Sequence, residues 1–339
     1  MKTIYSKATA AIKIEIEKYL DLINNSNSFS EIKPELFNNP DLAEMFAFGI
    51  GVTLDLESQG YQQNLINEYN RKIAVKFDIE NAVTLGVYKI VRNHAEVLYD
   101  LAFKITNKFK NFEDQIIFNN PETLPIFQNI LGLSKSQLLK KVGSVSDSSI
   151  SKPASKRLSE LLTSTISKKE VDKNNTLQRL EVTIEGIVRD LVGRVLFEEV
   201  VANALIRANV PFLRENEYSD LSGVVYNFRA DFVIPNTTSP IAFIEVRKSS
   251  SRHASLYAKD KMFSAINWKG KHKKLIGVII VEGEWTQATL QIMASVFDYV
   301  VPLEKCKDLA EKLKKAVDGD ESILKWLVEF SISKSSNFL

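Results

Sequence analysis

Arg229-Ala-Asp-Phe-Val-Ile-Pro235, a turn rich in Asn, Thr, Ser and Pro, and then Ile241-Ala-Phe-Ile-Glu-Val-Arg-Lys-Ser249 read as two short apolar strands, each carrying one acidic residue. Asp231 opens the first strand. Glu245 sits inside the second, flanked by Ile241, Phe243, Ile244 and Val246. A charge in an apolar strand is costly to bury unless it is paired or binds a cation. The two-residue period of a strand puts Glu245 and Arg247 on one sheet face and Lys248 on the other. A hairpin returns Glu245 alongside Asp231. Two carboxylates and a cation on one sheet edge suit a hard divalent metal and a phosphate, with the carbonyl of Val246 as a natural third oxygen. Each group also has a plainer reading. Asp231 caps a turn or pairs with Arg229, Glu245 forms a buried salt bridge, and Arg247 and Lys248 mark a solvated strand end.

Outward from these strands, short apolar runs recur at 224–228, 275–281 and 296–301, with helical patterns at 255–266 and 286–295 between them. Strands alternating with helices predict an α/β domain with a mixed central sheet flanked by helices, over residues 157–339. Residues 303–330 close it with one or two helices. Before it, residues 1–142 predict an all-α domain. Ile4, Ala8, Ile12, Ile16 and Leu20 share one helix face, and Val87, Ile90, Val91, His94, Leu98, Leu101 and Ile105 share another. Pro34, Pro40 and Pro121 stand at helix starts. Residues 143–156 carry six serines and Pro153. They read either as a linker or, with residues 133–142, as a degenerate helix-turn-helix with Gly143 in the turn and a recognition helix from Ser146 to Lys152. Pro153 limits that second helix to about two turns.

With these residues in view, the region of roughly 180–304 resembles the PD-(D/E)xK nuclease superfamily, to which most type II restriction endonucleases belong. The resemblance implies that Asp231 and Glu245 bind Mg²⁺ together with the Val246 carbonyl, and that a helix upstream adds a Glu. Phe197-Glu198-Glu199 supplies two candidates. An aromatic followed directly by Glu favours Glu198, whereas apolar spacing places Glu199 on the inward face. Ala230 stands where the family often has Pro. Arg247 stands in the position of the family's catalytic Lys, with Lys248 next to it, so Arg247 and Lys248 compete for that role. A lysine displaced to the following helix, Lys259 or Lys261, is a third option. The implied activity is Mg²⁺-dependent hydrolysis of phosphodiester bonds in double-stranded DNA at a specific sequence. The alternative is a non-catalytic DNA-binding or regulatory protein on a nuclease-like fold.

Composition fits these readings. With 45% apolar and 25% charged residues among 339, the chain has enough material for a core and two ordinary domains. No apolar run has the length of a membrane span, the first residues lack a signal core, and Cys306 is the sole cysteine. A cytoplasmic location is expected. Net charge is only +2, but its distribution is uneven. Arg247, Lys248, Arg252, Lys259, Lys261, Lys269, Lys271, Lys273 and Lys274 face a single acidic residue, Asp260, with Tyr257, Phe263 and Trp268 interleaved. Such a stripe predicts nucleic-acid contact, with Arg252, His253, Lys259, Lys261, Lys269 and Lys271 as its contact residues. The plainer alternative is a solvated helix and loop. His94 reads as a core residue. The long apolar faces of the first helices, and the need to cut two antiparallel strands, predict a homodimer.

Overall fold

A computed structural model describes residues 2–73, 75–144, 146–166, 171–249, 254–320 and 322. Up to Arg207 the described chain holds helices and no strand: α1 (Ile4–Asn25), α2 (Pro40–Ile50), α3 (Tyr61–Arg71), α4 (Ile79–Ile105), α5 (Asp114–Asn119), α6 (Leu124–Leu131), α7 (Lys135–Val142), α8 (Lys152–Ile166) and α9 (Lys173–Arg207). Then follow β1 (Leu213–Arg214), β2 (Phe232–Ile234), β3 (Ala242–Ser249), α10 (Ala254–Lys271), β4 (Ile276–Gly283), α11 (Gln287–Met293), β5 (Tyr299–Pro302) and α12 (Cys306–Val317). The chain divides into two compact units. The first comprises Met1–Tyr19 and Pro34–Leu196, the second Leu20–Lys33 and Phe197–Leu339. The division therefore falls inside α9, and residues 143–151 connect two helices of the first unit.

Local chemistry starts and stops the helices of the first unit. Asn39 accepts a hydrogen bond from Asp41 N (3.0 Å) ahead of Pro40, and Asp78 accepts one from Asn81 N (3.0 Å) at the head of α4. Ser134 and Gln137 close a capping box on α7, which ends at Gly143 with φ of 85°. The recognition helix predicted from Ser146 to Lys152 does not form. The Val142 carbonyl at the end of α7 instead accepts from Arg157 Nε (2.8 Å). Pro153 lies in the first turn of α8, where its missing N–H costs nothing. The α1 face expected from spacing is inward, and the α4 face is inward except at Ile90, Leu101 and Ile105, which are half-buried. Ile4, Ala8, Ile12 and Ile16 on α1, and Val83, Val87, Val91 and Leu98 on α4, are all buried. His94 is buried with them, its Nε2 2.7 Å from the Lys2 carbonyl.

In the second unit the strands form one five-stranded mixed sheet in the order β1-β2-β3-β4-β5. β1, β2 and β3 pair antiparallel; β3, β4 and β5 pair parallel. The parallel pairs are joined through α10 and α11, the crossover helices that such pairing requires. β3 and β4 are buried along most of their length, which explains their continuous apolar runs. Phe243, Trp268 and Phe297 anchor the core on one side, with the Phe243 and Trp268 rings 4.7 Å apart at 67°. Gly277 pairs with Phe243, and a Cβ there would come within 2.9 Å of the ring.

One strand expectation changes, and one short strand, β1, was not expected. Residues 224–228 are not a strand, because the buried side chain of Asn267 takes over their backbone groups. Its Oδ1 accepts from Val225 N (2.7 Å), its Nδ2 donates to the Tyr226 carbonyl (2.8 Å), and its own carbonyl accepts from Val224 N (3.1 Å). Only Leu221 and Phe228 bridge. Satisfied this way, the segment has no need of a ladder. β1, two residues long, is an edge strand too short to have a period.

Candidate functional site

β2 and β3 build the site. Phe232 pairs with Ile244, so the next position outward sets Asp231 across from Glu245 on the same face. Backbone N–H groups hold Asp231 from two sides. Its carbonyl accepts from Glu215 N (3.1 Å) and its Oδ2 from Val246 N (2.7 Å). Immediately before it, the Tyr218 hydroxyl donates to the Ala230 carbonyl (2.7 Å) and accepts from Ala230 N (2.6 Å). Asp231 is 6% exposed and Glu245 0%.

Two cations meet these carboxylates. Arg247 Nη1 donates to Asp231 Oδ2 (2.9 Å) and to the Val246 carbonyl (2.5 Å), and Nη2 donates to Glu245 Oε2 (2.8 Å). Lys261, from the second turn of α10, places its Nζ 3.0 Å from the same Glu245 oxygen. The other oxygen, Glu245 Oε1, is buried and accepts no hydrogen bond from a described residue. Burial, and then the neighbouring Asp231 charge, push the Glu245 carboxyl up to about 7, against the pull of Arg247 and Lys261.

The remaining sequence candidates separate. Glu199 is taken by Arg214, whose Nη1 and Nη2 both donate to its carboxylate, the second at 3.1 Å. Glu198 is exposed, and its carboxyl is nevertheless held above the ordinary range, first by partial burial and next by the charge of Asp231, with Arg247 opposing. β3 continues through Lys248, which points away from Asp231 and lies over the Phe197 ring at 5.6 Å.

The basic stripe does not survive as a single surface. Lys269 is 2% exposed, with its Nζ 2.8 and 2.7 Å from the two oxygens of Asp298 and 3.2 Å from the Val296 carbonyl. It is a buried ion pair rather than a nucleic-acid contact. Asp298 Oδ2 also accepts from Gly277 N (2.7 Å), so the pair ties α10 to the sheet. Trp268 is wholly buried and unable to stack on a base. Lys259 and Lys271 are exposed, and so is Phe263, which stacks on Tyr226 at 5.6 Å. Arg252 and His253 lie outside the described residues.

Sequence reasoning missed Tyr218 altogether. Its contact with Ala230 crosses twelve residues of irregular chain, and no pattern announces it. Lys261 was one of two options for a lysine displaced to this helix, and helical spacing carried a signal that separates it from Lys259. Ala258, Lys261, Ala265 and Trp268 follow helical spacing, and three of the four are core residues.

Three hard oxygens, from Asp231, Glu245 and the Val246 carbonyl, fit a divalent cation chemically, and the unsatisfied Glu245 Oε1 is a further acceptor. Among the described residues no cluster of three His, Cys, Asp or Glu side chains forms a ready metal cage. Mg²⁺ does not require one, because it binds through one or two carboxylates and keeps waters. No protein-family model, no curated protein and no solved structure matches this chain.

Proposed function

We propose that this chain is a Mg²⁺-dependent DNA endonuclease, of the restriction type that cuts double-stranded DNA at a specific sequence. The observation that carries the reading is Glu245. A fully buried carboxylate on a central strand faces Asp231, touches two cations and has one oxygen that no described group satisfies. Such an arrangement is costly for stability alone and is the kind found where charge does chemistry. Asp231, Glu245 and the Val246 carbonyl would hold the cation. When bound, it would supply a Lewis acid for a phosphoryl oxygen and lower the pKa of a bound water. Lys261 orients the attacking water and offsets charge on the phosphate. Arg247, always protonated, contributes only the electrostatic part. Glu198 accepts a hydrogen bond from water on the helix side, and Lys259 and Lys271 draw the DNA backbone toward the site.

One observation favours a second reading, a non-catalytic DNA-binding protein. The Arg247 guanidinium already satisfies oxygens from all three candidate ligands. Supercoiled plasmid incubated with Mg²⁺ separates the two. The nuclease reading expects open-circular or linear product, none in chelator, none from Asp231→Asn or Glu245→Gln, and about 100-fold slower cutting by Lys261→Met. Salt-sensitive DNA binding without any strand scission establishes the second reading instead.

A further inference from the structure

We propose that Arg247 is a built-in occupant of the cation position, one that must leave before a divalent metal binds and that a DNA phosphate draws away. The inference rests on reading the site as a divalent-cation site and adds its regulation. A single guanidinium reaches Asp231 Oδ2, the Val246 carbonyl and Glu245 Oε2 at 2.9, 2.5 and 2.8 Å. Those residues supply the oxygens a hard cation would use. A guanidinium and a divalent ion a few ångströms apart repel strongly in a low-dielectric site, so the two compete for the oxygens.

The competition has a way to resolve. Both carboxylates are buried, whereas the Arg247 side chain is 26% exposed and extends from near the end of β3. A phosphate offers the guanidinium a two-pronged partner of matching geometry. On its departure Lys261 still compensates Glu245, so the carboxylate is not stranded. Glu245 Oε1, buried and unsatisfied by described groups, is the acceptor Arg247 never occupies, and it favours the incoming cation. Phosphate and metal therefore promote each other's binding, and by linkage the factor is the same in both directions.

Mn²⁺ binding to the full-length protein, measured by electron paramagnetic resonance and calorimetry, tests the idea without reference to cleavage. Arg247→Ala is expected to bind Mn²⁺ at least about tenfold tighter than wild type, which corresponds to about 1.4 kcal/mol. Adding Glu245→Gln should abolish the gain. A short duplex with phosphorothioate linkages should tighten Mn²⁺ binding to wild type and leave Arg247→Ala unchanged. If Arg247→Ala fails to fold by circular dichroism, Arg247→Gln, which keeps hydrogen-bond donors without the charge, takes its place. Equal affinity in wild type and the folded variant overturns the competition but leaves the nuclease reading to the plasmid assay. Absence of Mn²⁺ binding in all proteins overturns both. Tighter binding in the variant, with no scission by wild type, upholds the competition and removes the nuclease.

Discussion

Glu245 makes the site's electrostatics measurable through stability. Its carboxyl ordinarily titrates at 4.5 and in the folded chain is pushed up to about 7. Between those values the folded state keeps a proton that the unfolded state has released. Stability therefore falls as pH rises across the window and levels off above it, an effect of about 3 kcal/mol for this one group. Glu245→Gln cannot titrate there. In chelator, the unfolding free energy of wild type minus that of Glu245→Gln is expected to decline from about pH 4.5 to about pH 7. Urea denaturation at several pH values checks it, and a flat difference would show that burial does not raise this carboxyl. Asp231 and Glu245 were visible in the sequence because a charge interrupting an apolar run is a local anomaly. Tyr218 was not, because a hydroxyl that clamps a distant backbone leaves no local trace. Strand period alone put Arg247 on the face of Glu245 and Lys248 on the other, whereas singling out Lys261 from Lys259 needed the packing of a helix on the sheet.

Among elements, α10 shows why charge in a sequence misleads about surface. Lys261 and Lys269 lie on a helix whose inward face holds Ala258, Ala265 and Trp268, and both lysines turn toward carboxylates, Glu245 in one case and Asp298 in the other. Read linearly, they joined a basic stripe; read by helical angle, they leave it. Breaking a buried pair strands the surviving charge, so Asp298→Ala is expected to cost about 3–5 kcal/mol. Lys271→Ala, on the exposed side, should change stability by no more than about 0.5 kcal/mol. Chemical denaturation of both variants decides; a mild Asp298→Ala would mean that Lys269 finds water. β2, β3, β4 and β5 were legible as apolar runs bounded by turn residues. Residues 224–228 were equally apolar, yet the amide of Asn267, forty residues further on, makes them a loop.

For the whole molecule, the proposed attraction to DNA would have to come from the charges left at the surface. With Lys269 buried and Lys261 engaged, Lys259 and Lys271 are the remaining described residues among the predicted contacts. If both touch phosphate, replacing them with Ala lowers the slope of log affinity against log salt by about 2. Fluorescence anisotropy across a salt series measures it, and an unchanged slope excludes this face. Of the apolar faces that suggested a homodimer, Ile4, Ala8, Ile12, Ile16, Val87, Val91 and Leu98 are buried, while Ile90, Leu101 and Ile105 are half-buried and Val97 and Phe103 exposed. On the proposed nuclease reading, two strands would be cut by two copies or by successive encounters, and sedimentation with and without DNA distinguishes these. No described helix is long and apolar enough to cross a membrane. The chain passes between its two units three times, after Tyr19, after Lys33 and after Leu196. Leu20, Leu22 and Ile23, which the sheet-bearing unit borrows from the start of the chain, are buried. No single cut in the gene therefore releases either unit intact. A single-point recombination that swaps the start of the chain for another would carry off Leu20, Leu22 and Ile23 with it, unlike an exchange of cassettes joined by a tether.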